Sequence, residues 1–199
     1  EAHRNLVAKF AEEFSIDPWL ISTETRKCGQ INFRDKKGLE CIANHVDRII
    51  HNVSKKYEEY EIKRQPYVFV KADNGTYGIG IMTVNSGQEL LDINKKSRHS
   101  MNVLKQGIRN SEVMVQEGVP TVTQREGASS ETLAYVVAGQ TIDLLTRYHP
   151  KKDQFSSLNS PGAAFKSEAN LSFGIESVIA ELAALATTNE AAFAEPTEQ

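Results

Sequence analysis

The chain has 199 residues, of which 40% are hydrophobic and 25% charged, with a formal net charge of −3. That composition is that of a globular protein of one large or two small domains, and its evenly mixed charge gives no support to a nucleic-acid or membrane-surface partner. No apolar run approaches the length of a transmembrane helix, and the first residues carry no signal-peptide pattern.

The chain begins Glu1-Ala-His-Arg-Asn5, without an initiator Met, so a fragment or processed product is expected. Leu6, Val7, Phe10, Ala11 and Phe14 recur at helical spacing and predict a helix near residues 3–14, ended by Ser15-Ile-Asp-Pro18. Residues 19–35 are expected to be irregular or extended. Cys28 and Cys41 are too few for a disulfide scaffold and lack C-x-x-C spacing, so both are expected reduced and the compartment cytoplasmic. The five histidines show no H-x-x-x-H pair that would suggest zinc. From Leu39 through Ile42, Val46, Ile49, Val53, Tyr57 and Tyr60, steps of three and four mark a long amphipathic helix.

Tyr67-Val-Phe-Val70 then reads as a buried strand, with Lys71 at its end. Asn74-Gly75, Gly78 and Gly80 make a flexible loop, and Ile79, Ile81, Met82 and Val84 predict a second strand. Glycines let backbone N–H groups approach phosphate oxygens, and a lysine adds a mobile point charge. The loop lacks Gly-Lys-Ser/Thr and leads into a strand, so it is neither a P-loop nor a dinucleotide fingerprint. A phosphate site and an ordinary glycine-rich hairpin with a solvated lysine both remain open on these residues alone.

Ser86-Gly-Gln-Glu89 has a capping-box pattern and starts a short helix. Lys95–Arg109 is expected to be helical, its basic face solvated. Val113-Met-Val-Gln-Glu-Gly-Val119 predicts a strand ending in a hinge, and polar Thr121–Glu131 a mobile loop. Leu133–Val137 and Ile142–Leu145 predict paired strands, with Arg147, Tyr148 and His149 at the end of the second. Leu158-Asn-Ser-Pro-Gly162 predicts a turn, and Ile175, Val178, Ile179, Leu182 and Leu185 a final helix. Thr187–Gln199 is expected to be frayed. No internal repeat is visible.

Lys71 with its glycine loop, Gln116-Glu-Gly-Val119, Arg147 and Asn159 together resemble an ATP-grasp fold, an α+β architecture in which two lobes clamp ATP. Ile16-Asp-Pro-Trp-Leu-Ile21, Cys28-Gly-Gln-Ile-Asn-Phe33, the block Val70–Val84, Val115-Gln-Glu-Gly-Val119, Glu131 with Tyr135, Arg147 and Leu158–Gly162 resemble the proteobacterial glutamate–cysteine ligases of ATP-grasp type, over roughly residues 5–187. The resemblance implies a ligase that joins the γ-carboxyl of glutamate to the amine of cysteine through an acyl phosphate, the first step of glutathione synthesis.

It implies ATP and Mg²⁺ as cofactors, glutamate and cysteine as substrates, and leaves a homo-oligomer open. It also implies residue roles. Lys71 would neutralise phosphates, and Gly75, Thr76, Tyr77, Gly78 and Gly80 would form a lid over them. Gln116, Glu117, Gly118 and Val119 would take the adenine through backbone groups, with Glu117 a candidate for the nucleotide's polar edge. Arg147 would face the transferring phosphoryl, and Glu131 and Asn159 would hold Mg²⁺. The implied organisation is a helical lead-in over 1–65, a nucleotide-binding lobe over 66–128, a second lobe over 129–187 and a disordered tail over 188–199. Two departures stand against full activity. Asp143-Leu144 occupies the place of an expected glycine pair, and Ser156-Ser157 that of an expected acidic or amide residue. The family's chains are also about twice this long. A nucleotide-binding portion and a diverged, non-catalytic module are therefore both carried forward.

Overall fold

The computed structural model describes residues 2–73, 79–102, 110–167 and 174–193. It is a mixed α+β structure with two four-stranded antiparallel sheets. Among the described residues no helix is long and apolar enough to cross a membrane.

Helix α1 (Ala2–Glu13) buries Val7 and Ala11, one turn apart, and is followed by a 3₁₀ turn at Pro18–Ile21 and strand β1 (Thr25–Cys28). Asp17 caps the 3₁₀ turn by accepting from the Trp19 N–H. Helix α2 (Leu39–Glu59) buries Ile42, Val46, Ile49, Val53 and Tyr57 along one stripe, the spacing predicted from sequence. Strands β2 (Val68–Ala72) and β3 (Ile81–Val84) follow, then helices α3 (Gly87–Leu91) and α4 (Lys95–Asn102) and strand β4 (Val113–Glu117). The Ser86 hydroxyl accepts from the Glu89 N–H at 3.1 Å, and the Glu89 carboxylate reaches back to the Asn85 N–H at 2.7 Å. The capping pattern read in the sequence thus closes one residue early on its return leg.

The first sheet has the order β1-β4-β2-β3. Its inward residues Cys28, Val68, Val70, Val84, Val113 and Val115 pack with the α2 stripe and Phe33, Leu90 and Met101 into one apolar core. The other face of this sheet is left for Phe69, Lys71 and Gln116, because successive side chains alternate across a strand.

The second sheet is a meander of β5 (Gln124–Arg125), β6 (Ala128–Val137), β7 (Gln140–Tyr148) and β8 (Ala164–Ser167). Strands β6 and β7 are joined through Ala138 and Gly139, both at positive φ (51° and 80°), the twist that a two-residue hairpin demands. Helix α5 (Ile175–Phe193) packs on β6 and β7 and also on α1.

Several expectations are corrected. The loop expected over Thr121–Glu131 contains β5 and the start of β6. Backbone pairing of Gln124 with Ser129 and Arg125 with Ala128 makes this ladder, and polar side chains leave no apolar period to reveal it. The paired strands are longer than their apolar residues suggest, and β8 carries no sequence signal that was read. The chain past Thr187 continues as helix to Phe193, where a frayed end was expected. Ala186 is buried, and the Thr187 and Thr188 hydroxyls donate back to the Ala183 and Ala184 carbonyls, so their polarity is absorbed by the helix. The helix expected over Lys95–Arg109 is seen to Asn102, and its remainder lies outside the described residues, as do residues 194–199.

Candidate functional site

The helix-free face of the first sheet and the β6–β7 ladder bound a cleft of about 660 Å³. It is lined by Phe69, Lys71, Ala72, Ile79 and Ile81 on one side, Glu131 and Arg147 on the other, with Val119, Thr121 and Ser156 to Asn159 between them. Lys71, Val119, Glu131, Arg147 and Asn159, picked from the sequence across nearly ninety positions, therefore converge on one space.

Two contacts hold Lys71. Its Nζ donates to Gln116 Oε1 at 2.6 Å and lies 5.1 Å from the centre of the Phe69 ring, a cation–π separation. Burial lowers its pKa, and the nearby Glu131 carboxylate opposes that shift. Gln116 Nε2 in turn donates to Thr23 Oγ1 at 3.0 Å, so the amide is fixed with its oxygen toward the lysine. The side chain of Gln116 does not line the cleft itself; it positions Lys71.

Arg147 and Glu131 are direct cross-strand partners, and Arg147 Nε donates to Glu131 Oε1 at 2.7 Å. The pair is partly buried, with side-chain exposures of 17% and 35%. Two cations and one carboxylate leave the cleft's lining net positive. That balance suits a polyanion, and the carboxylate and amide oxygens of Glu131 and Asn159 are the hard donors a Mg²⁺ ion takes.

Asn159 is placed by its neighbours. Leu158 is buried, and His149 ties the segment to the end of β7. The His149 Nδ1 accepts from the Lys151 N–H at 3.2 Å, so Nε2 carries the proton and donates to the Pro161 carbonyl at 3.0 Å. The Thr121 N–H donates to the Gln154 carbonyl at 2.8 Å, joining the hinge after β4 to the same segment. His149 and Thr121 were not singled out from the sequence, since neither sits in a motif. Phe69 could have been, because it shares strand parity with Lys71.

The Glu117 carboxylate, a candidate for the nucleotide's polar edge, lies on the core side of β4, opposite Val68 and 3% exposed, which leaves only the backbone of this residue for a nucleotide. It accepts from Trp19 Nε1 at 2.9 Å and from the Glu24 N–H at 3.0 Å. Burial raises its pKa, and those two donors pull it back. The pleat decides this: Gln116 and Glu117 are adjacent and must face opposite ways. Gly118 donates its N–H to the Tyr67 carbonyl at 2.8 Å, and a Cβ there would lie 2.2 Å from the Tyr67 ring. Of the hinge residues, Val119 is the one that reaches the cleft.

Gly80 stands at φ 73° just before β3, and its carbonyl accepts from the Ala72 N–H at 2.7 Å. Gly75, Thr76, Tyr77 and Gly78 lie outside the described residues. Asp143 and Leu144 pair with Tyr135 and Ala134, Leu144 is buried, and a register shift between Tyr135 and Val136 lies directly beside Asp143, so the expected glycine pair is replaced by paired strand next to a bulge. The Ser156 hydroxyl donates to Asp153 Oδ1 at 2.6 Å.

A comparison with curated protein sequences returns no match. The model of the glutamate-cysteine ligase family matches residues 1–191. Among solved structures, the chain is similar to a candidate gamma-glutamylcysteine synthetase from Methylobacillus flagellatus KT, at 32% identity and a TM-score of 0.83. The alignment covers 96% of this chain and 49% of that one, so the chain spans about half the length of its structural relative. Family model and shared structure agree over nearly the whole sequence, and the chain belongs to the glutamate-cysteine ligase family.

Proposed function

We propose that this chain forms the nucleotide-binding portion of an ATP-dependent ligase joining the γ-carboxyl of glutamate to the amine of cysteine, on an ATP-grasp architecture. The observation that carries the proposal is the cleft in which Lys71 of one sheet faces Glu131 and Arg147 of the other. Its volume lies within the range of small-molecule sites, and its donors match a magnesium nucleotide. The two lobes of the reading are residues 66–128, joined by β1, and residues 129–187. When bound, ATP supplies the phosphoryl group that converts a carboxylate into an acyl phosphate, which the amine then displaces. Lys71 and Arg147 would bind phosphate oxygens, Arg147 with a planar two-point contact. Glu131 and Asn159 would hold Mg²⁺, and Val119 would meet the base. The Gly75–Gly80 segment would cover the phosphates and exclude water.

A second reading, a nucleotide-binding module without catalysis, is favoured by one observation. Ser156 is engaged with Asp153 where a stronger metal ligand was expected, which thins the donor set for Mg²⁺. The first test is calorimetry of Mg-ATP binding to this chain. Lys71→Ala should weaken it by about 1–3 kcal/mol, the worth of a charge-assisted hydrogen bond. Equal affinity in wild type and variant would remove Lys71 from the site. Binding without ADP release by the enzyme containing this chain, with glutamate and cysteine both present, would select the second reading.

A further inference from the structure

Cys28, Cys41 and His45 gather on the opposite side of the first sheet from the cleft. Cys28 ends β1 opposite Val113, with its side chain in the core beneath α2. Cys41 and His45 are four residues apart on α2, so they share one face of the helix. Cys28 Sγ and Cys41 Sγ are 2.8 Å apart, and with a ring nitrogen of His45 all three donor atoms lie within 4.8 Å of one another.

We propose that Cys28, Cys41 and His45 bind one divalent cation of the zinc class, in a site separate from the nucleotide cleft that pins α2 to β1. Thiolate and imidazole are the donors that select such an ion over magnesium or calcium. In a tetrahedral zinc site, bonds of about 2.3 Å to sulfur and about 2.0 Å to nitrogen put the ligand atoms roughly 3.5–3.8 Å from one another. The two sulfurs, at 2.8 Å, stand closer than that, so exposed Cys41 would move outward as the ion enters, and the histidine nitrogen lies within 4.8 Å of both. Its exposure also gives the ion an entry path and leaves a fourth position for water or a further ligand. Two thiolates neutralise the ion, so Arg26 and Arg48 beside His45 have no net charge to repel. Burial and those two arginines lower the His45 pKa, which keeps the ring in its ligating, neutral form. The same two cysteines could instead form a disulfide. The third donor, His45, has no part in that chemistry.

The test is a Co²⁺ titration of the whole 199-residue chain, reduced and stripped of metal. Saturation at one equivalent is expected, with thiolate-to-cobalt charge-transfer absorption and the visible bands of a tetrahedral ion; Zn²⁺ should displace the cobalt and raise Tm. Cys41→Ser and His45→Ala, at exposed and half-buried positions, are each expected to weaken Co²⁺ binding about tenfold or more and to abolish the Zn²⁺-induced rise in Tm. Absence of the charge-transfer band in wild type would overturn the proposal. So would a band unchanged in both variants, or a Cys28–Cys41 disulfide that forms in air with Zn²⁺ present.

Discussion

Lys71 is a charge kept in a partly buried place, and that has a measurable cost to the fold. A lysine whose folded pKa is lowered holds fewer protons folded than unfolded in the interval below the ordinary lysine value of about 10.4. Stability therefore rises with pH through that interval, and the penalty is fully present below the folded pKa. Lys71→Met removes it. The stability of wild type relative to Lys71→Met should increase between about pH 7 and about pH 10, measured by denaturant unfolding without nucleotide. A constant difference would mean that the lysine is solvated. Arg147 makes a different demand. If it contacts the transferring phosphoryl, Arg147→Lys keeps the charge but loses the fork, and kcat in the enzyme containing this chain should fall by about 10²-fold or more with little change in ATP affinity. Unchanged kcat would leave Arg147 as the ion-pair partner of Glu131 and no more.

At the scale of elements, the cleft depends on how β4 ends. Glu117 anchors the strand to the 3₁₀ turn through Trp19, and Gly118 lets the Tyr67 ring close over the backbone before Val119 enters the cleft. A Cβ at Gly118 would lie 2.2 Å from a ring carbon that is packed against Phe69 and Phe155, so neither side can yield easily. Gly118→Ala should cost about 1–3 kcal/mol by denaturant unfolding, as overpacking does. Gly29→Ala, where a Cβ meets nothing within 4 Å, should be near neutral and serves as the control. Equal stabilities would show that the hinge is looser than its packing implies. His149 plays the corresponding part on the second sheet, using both ring nitrogens to fix the segment that carries Asn159.

For the whole molecule, the two ends of the chain are structurally coupled. Helix α5 covers β6 and β7 and also packs on α1; Val7 and Ala11 of α1 and Ala186 of α5 are buried. Ala186→Glu would place a carboxylate at a buried position of α5 and should lower stability by about 1–3 kcal/mol in thermal or denaturant unfolding. Leu185→Glu, one residue away and 49% exposed, should change it little. A similar loss in both would mean that α5 responds to charge anywhere and not to burial.

The sequence by itself determined the local elements and the polar residues of the cleft. Helix α2 was legible from its apolar period of 3.6 and the strand before Lys71 from a run of β-branched and aromatic residues, both properties of consecutive residues. Lys71, Glu131, Arg147 and Asn159 were legible because they stand in motifs resembling those of a known family. Tertiary structure decided which way side chains face and which distant residues meet. Strand parity turned Glu117 into the core while it kept Gln116 on the face of Lys71. Backbone pairing made strands of the polar stretch after Thr121, and tertiary packing buries Ala186 beside a segment that reads as a frayed end. Cys41 and His45 stand four apart on one helix, but Cys28 comes from a strand thirteen positions before Cys41 with no metal-motif spacing to either. Only the packing of α2 on β1 brings their donor atoms within reach of a single ion.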